Sequence, residues 1–165
     1  MIVRNRINEL IISVLLFSIS LLVLVFYFEY GLGLIPCKLC IWQRVPHTAV
    51  ILICLTILIK NKFKLLGSII SLIATIAGFV LSGYHLGVEH KIWQGPNSCS
   101  DMSALTTLSS DLFLETILKA PIIRCDEITW TFLKISMAGW NFLLSLILAH
   151  IWLLIIFLIM KSSKN

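Results

Sequence analysis

Leu10-Ile-Ile-Ser-Val-Leu-Leu-Phe-Ser-Ile-Ser-Leu-Leu-Val-Leu-Val-Phe-Tyr-Phe28 runs without a single charge, and Arg4 and Arg6 stand before it. An apolar helix of this length crosses a hydrocarbon core about 30 Å thick. The run is longer than the roughly 7–15-residue core of a secretory signal, and no small-x-small cleavage site follows it, so it reads as an uncleaved span. Tyr27, Phe28 and Tyr30 fall where an aromatic belt meets the lipid headgroups.

The rest of the chain repeats this pattern. With 59% hydrophobic and 13% charged residues over 165 positions, and a mean hydropathy of +1.00, it is far more apolar than a soluble domain, where about 25% of residues are charged. Three further spans are expected at 42–59, 65–86 and 135–160. The small residues Gly67, Ser71, Ala74, Gly78 and Ser82 give the third a face for close helix packing. The fold class is therefore an all-α membrane protein, a four-transmembrane-helix antiparallel bundle forming one domain over 1–165. Its outer loops fall at about 29–44 and 87–134. Within the longer loop, Leu112 to Leu118 carries apolar residues between Asp111, Glu115 and Lys119, a pattern that suits a short helix on the membrane surface.

Charge sets the orientation. Arg4, Arg6, Lys60, Lys62, Lys64, Lys161 and Lys164 lie on one side of the bundle with Glu9 as the sole acid, whereas Glu29, Glu89, Asp101, Asp111, Glu115, Asp126 and Glu127 all lie on the other. The positive-inside rule puts both termini in the cytoplasm and both loops outside. Basic residues flank apolar runs and form no aromatic-interleaved patch, so topology explains the net charge of +5 and nucleic acid does not.

Four of the five cysteines then lie outside, where disulfides persist. Cys37-Lys-Leu-Cys40-Ile-Trp-Gln-Arg44 places two thiols and a fixed cation at the start of the second span. A pair with this spacing suits redox exchange, and the ring it closes is too small to restrain the unfolded chain much. Zinc would ask for a second closely spaced pair, which Cys99 and Cys125 do not supply, so no metal is expected. If the second span begins near Cys40, Arg44 shares its face and the helix N-terminus adds to the positive field, both favouring a thiolate on Cys40. Cys54 sits ten residues beyond Arg44, at a depth that suits a small buried apolar residue. His150, within the fourth span, is at most a hydrogen-bonding residue of the bundle.

The thiol stretch, Gly87-Val-Glu-His90, Cys99, Pro121-Ile-Ile-Arg-Cys125 and Trp130-Thr-Phe-Leu-Lys-Ile-Ser-Met137-Ala-Gly-Trp140-Asn141 together resemble the bacterial disulfide bond formation protein B (DsbB) family. The resemblance covers residues from about 10 to 160. It implies an inner-membrane thiol oxidase that keeps the bacterial periplasm oxidising through quinone. By that resemblance Cys99 is attacked by a reduced periplasmic thioredoxin-fold partner of the DsbA type, with Cys125 as its disulfide partner. Cys37 exchanges with that loop pair, and Cys40 contacts the quinone, ubiquinone or menaquinone. Arg44 and His90 correspond to residues near the quinone ring, and Met137 to one lining the same pocket. Two other readings stay open on the residues: a disulfide-stapled scaffold or assembly factor without turnover, and a related oxidase serving a different partner.

Overall fold

A computed structural model describes residues 2–96 and 124–164. Helix α1 (Ile2–Phe26) continues into a π-helical turn, Tyr27–Gly31. A short helix α2 (Lys38–Trp42) leads into α3 (Arg44–Ile59), a 3-10 turn at Asn61–Phe63 reverses the chain into α4 (Lys64–Glu89), and α5 (Met137–Lys164) closes the bundle. The segments Asn5–Gly31, Lys38–Ile59, Asn61–Glu89 and Met137–Ser163 are each long and apolar enough to cross a membrane.

The second span begins at Lys38, a full turn before the position expected from hydropathy. It is built from two helices because Pro46 has no N–H to offer the carbonyl of Trp42, and α2 ends at that residue. Before α5, Thr131–Phe132 (β1) and Ile135–Ser136 (β2) pair as an antiparallel hairpin that hydropathy does not announce. Its two-residue turn, Leu133-Lys134, has φ of 52° and 65°, the positive values that match a tight turn to the twist of its strands. The fourth helix therefore starts at Met137 rather than Ile135. Ser136 caps it, accepting the N–H of Gly139 at 3.1 Å. The surface helix expected at 112–118 lies outside the described residues.

The core occupies the half of the bundle that holds both termini. Ile11 and Val14 of α1, Val50, Cys54 and Ile57 of α3, and Leu148, Trp152 and Ile155 of α5 pack together there. Outward residues such as Leu16, Val23, Leu52, Ile73, Val80 and Phe157 stay exposed, as a lipid-facing surface requires. Helix α4 turns Gly67, Ser68, Ser71, Thr75, Gly78 and Ser82 inward. The glycines set the interhelical distance: a Cβ on Gly67 would lie 2.6 Å from Ile57 Cγ1, and one on Gly78 would lie 3.2 Å from Pro46 Cβ.

This geometry gives a test of the packing. Gly67→Val lowers bundle stability by about 1–3 kcal/mol, the usual cost of overpacking. Adding Ile57→Ala, which removes the atom in the way, recovers part of that loss. Denaturation of the purified protein in mixed micelles reads both, and two effects that simply add would show that the sites do not touch.

Candidate redox site

The site lies at the end of the bundle away from the termini, and Cys37 organises it. Because α2 starts at Lys38, Cys37 occupies the N-cap and its sulfur accepts the backbone N–H of Cys40 at 3.1 Å. The same sulfur lies 3.6 Å from Nε2 of His85, one turn before the end of α4. The Sγ atoms of Cys37 and Cys40 and a ring nitrogen of His85 all lie within 4.8 Å of one another. That trio supplies three donors where a structural zinc site asks for four. Hydrogen bonding with the Cys40 thiol outweighs burial, and His85 adds to it, so the Cys37 thiol is lowered from 9.0 to about 5. Cys37, not Cys40, thus takes the cap and the heightened acidity, because the helix begins a turn earlier than hydropathy suggests.

Beyond His85 runs a line of buried and half-buried polar side chains. Gln43 Nε2 meets His85 Nδ1 at 2.7 Å, Asn141 Nδ2 donates to Gln43 Oε1 at 2.7 Å, and His47 Nε2 meets Asn141 Oδ1 at 2.9 Å. Gln43, His47 and His85 are all buried. They stand at the α2–α3 junction, on α3 and on α4, and Asn141 on α5 joins them. Hydropathy does not single them out, although two steps of four residues, Gln43 to His47 and His85 to Glu89, put polar groups on one helix face.

Cys40 also lines an apolar cavity of about 340 Å³. Aromatic rings build one side of it: Phe28 lies 4.8 Å from Trp130, and Trp130, Phe132 and Trp140 continue the stack. Gln43, Arg44, His47, His85 and Asn141 form the polar side, and Met137 also lines it. Arg44 does not reach back to Cys40 as the four-residue spacing suggests. Its Nη1 lies 2.5 Å from Glu29 Oε2, and the guanidinium sits 4.9 Å from the ring centre of Phe26. The π-helical turn after α1 brings Glu29 there, while Arg44 Nε is buried with no hydrogen-bond partner among the described residues.

The second thiol region adjoins the first. Cys125 is disulfide-bonded, buried, and packed in one cluster with Cys37, Leu39 and Val88. Cys37, Cys40 and Cys54 are free thiols, with Cys54 in the distant core. His90 is exposed at the C-cap of α4, and it does not line the cavity, whereas His85 does. Cys99 lies outside the described residues. Glu89 accepts a 2.5 Å hydrogen bond from Ser136 Oγ, tying the end of α4 to the start of α5 beside the thiols.

Two cysteine regions meeting at a span end, over an apolar cavity, narrow the comparison with known proteins. The family model described as Disulfide bond formation protein DsbB matches residues 7–155. The chain belongs to the DsbB family. The disulfide bond formation protein B of Mannheimia succiniciproducens is 35% identical over 76% of this chain and 74% of its own length. That of Shewanella frigidimarina is 31% identical over 91% and 90%. An uncharacterised protein of Rickettsia prowazekii is 32% identical over 93% and 91%. Membership in the DsbB family makes the chain a membrane oxidoreductase of disulfide-bond formation.

The acidity of Cys37 predicts a pH profile. A thiol lowered to about 5 is a thiolate at neutral pH, so alkylation of Cys37 in the reduced protein rises through pH 5 and is lost below it. Peptide mass mapping after timed alkylation reads this. A rise only near 9.0, the ordinary value, would show an unperturbed thiol. The sign carries over to stability: the contribution of the thiolate is complete above the ordinary value and disappears as pH falls through the folded one.

Proposed function

We propose that this chain is a quinone-linked thiol oxidase that re-oxidises a periplasmic thioredoxin-fold dithiol protein of the DsbA type. In this reading it sits in the bacterial inner membrane with both termini cytoplasmic and the cysteine loops periplasmic. The orientation rests on the clustering of lysine and arginine at the end that holds the termini. One observation carries the functional reading: Cys37 packs against the disulfide-bonded Cys125 while Cys40 lines the apolar cavity. A soluble partner and a lipid-soluble acceptor are thereby served from opposite sides of one dithiol.

The sulfur chemistry balances as a series of exchanges. A partner thiolate attacks Cys99, opening its disulfide with Cys125 and leaving Cys125 as a thiolate. The second partner thiol then displaces Cys99, and the partner departs oxidised. Cys125 attacks Cys37 of a Cys37–Cys40 disulfide, and Cys40 leaves as the thiolate. Attack of Cys99 on Cys125 closes the loop pair again and releases Cys37. Two electrons now reside on Cys37 and Cys40, the redox state in which both are free thiols and Cys125 is bonded.

The residues present suit a quinone. The cavity is apolar with aromatic walls, its polar side offers donors, and Arg44 Nε is a buried donor without an acceptor among the described residues. When bound, a quinone, ubiquinone or menaquinone, supplies a two-electron, two-proton sink. Cys40 faces that sink, Arg44 places positive charge at the wall, Met137 and the aromatic rings exclude water, and Glu29 holds the guanidinium in place.

Quinone reduction by the purified protein, with a reduced DsbA-type partner as electron donor, tests the reading. Cys40→Ser abolishes it, and normal turnover by that variant would overturn the assignment. Arg44→Ala weakens quinone use, seen as a raised KM for quinone, while exchange between Cys37 and the loop pair persists. An unchanged KM would confine Arg44 to an anchoring role.

A further inference from the structure

Three buried polar side chains, Gln43, His47 and His85, and the half-buried Asn141 that joins them in a lipid-facing bundle call for an explanation, because each one costs free energy unless its hydrogen-bonding groups are satisfied. Their donors and acceptors can be ordered. Asn141 Nδ2 donates to Gln43 Oε1, which leaves the Gln43 amide nitrogen facing His85 Nδ1. An amide nitrogen only donates, so His85 Nδ1 is the acceptor and the neutral ring carries its proton on Nε2. That N–H points at Cys37 Sγ. At the far end Asn141 Oδ1 only accepts, so His47 Nε2 is the donor there. Every bond therefore runs in one direction, from His47 through Asn141, Gln43 and His85 to the sulfur.

We propose that His85 is a catalytic hydrogen-bond donor to the Cys37 sulfur, and that Gln43, Asn141 and His47 are positioning residues whose one-way donor chain fixes the ring tautomer that makes it so. The proposal deepens the relay reading of the same site and rests on it for its place in turnover. When Cys99 displaces Cys37 from Cys125, the electron pair of the broken S–S bond stays on Cys37. His85 stabilises that thiolate by donation from Nε2, and no proton changes hands. A cation is not required, since the neutral ring already presents its N–H. Arg44, committed to Glu29, is thereby left for the cavity side.

Other groups face His85 and belong in any account of its pH behaviour. Cys37 and Cys40 come from the α2 end, Glu89 from its own helix, and Arg124 and Glu127 from the segment before β1. Arg44 and His47 approach from α3, and α5 contributes only neutral side chains to this wall. Reversing the chain gives a specific consequence. Without Asn141, Gln43 is free to turn its oxygen toward Nδ1, the proton moves to that nitrogen, and Cys37 loses the His85 donor while keeping the N–H of Cys40, although no residue touching the sulfur has been replaced.

The experiment is site-resolved alkylation of Cys37 in the fully reduced, full-length protein as a function of pH. His85→Phe, similar in shape but with no N–H, shifts the profile upward by about one to two pH units and slows Cys37 alkylation at about pH 6 roughly two- to fifteen-fold, the loss of one hydrogen bond to a charged group. Asn141→Leu shifts it in the same direction, and the double variant goes no further than His85→Phe alone. Unmoved profiles in both variants would overturn the proposal. A shift with His85→Phe but none with Asn141→Leu would overturn the one-way chain. Where His85→Phe does not assemble, Gln43→Leu and Asn141→Leu carry the same test. The assay uses neither quinone nor partner, so absence of quinone reduction by the unmodified protein would sink the relay and leave this result standing.

Discussion

The sulfur of Cys37 is held at a point where three constraints meet. It caps α2 through the N–H of Cys40, it faces a ring nitrogen of α4, and it packs against a cysteine from the segment before the hairpin. Inside a membrane no water is at hand to satisfy a polar group that drifts out of register. The line from His85 through Gln43 and Asn141 to His47 therefore ties the α2–α3 span, α4 and α5 together at one level. The small-residue face of α4 lets the helices come close enough for these short side chains to meet.

That arrangement divides the dithiol between two environments. Cys37 lies against Cys125 and the cleft lined by Glu89, Arg124 and Glu127, while Cys40 also opens on the apolar cavity. The division follows from a helix that starts between the two cysteines. Its cap residue turns back toward the chain that precedes it, and the residue three positions on already belongs to the helix face. Arg44 is a further turn along, where the end of α1 reaches it with Glu29 and Phe26. Breaking such a part-buried pair leaves a charge without compensation, which gives the π-helical extension of α1 a physical purpose.

Parts of this were legible in the residues. Uninterrupted apolar runs announce spans because the bilayer thickness demands them, and the close-packing face of α4 showed in the recurrence of Gly and Ser. Two residues between Cys37 and Cys40 marked the thiol pair on which the proposed relay rests. The resemblance picked His90 and passed over His85, since both stand near the end of one helix and only the packing shows that His85 turns inward. The anchor for Arg44 was equally hidden: Glu29 lies in a different span, and spacing along one helix suggested Cys40 instead. The hairpin at 131–136 left no strong alternation, and its turn residues, Leu133 and Lys134, are not those that usually signal positive φ.

What the sequence by itself determined is the all-α membrane class, the four apolar helices and the identity of the thiols. Each of these depends on local composition and on the length needed to cross a bilayer. The tertiary structure alone decided which thiol faces a histidine, which histidine that is and where the arginine points. The histidine's place depends on hydrogen bonds between residues 42 to 98 positions apart, and the arginine's on an ion pair between two spans. Such partners are chosen when buried polar groups on separate helices satisfy one another, and that happens only once the helices are packed.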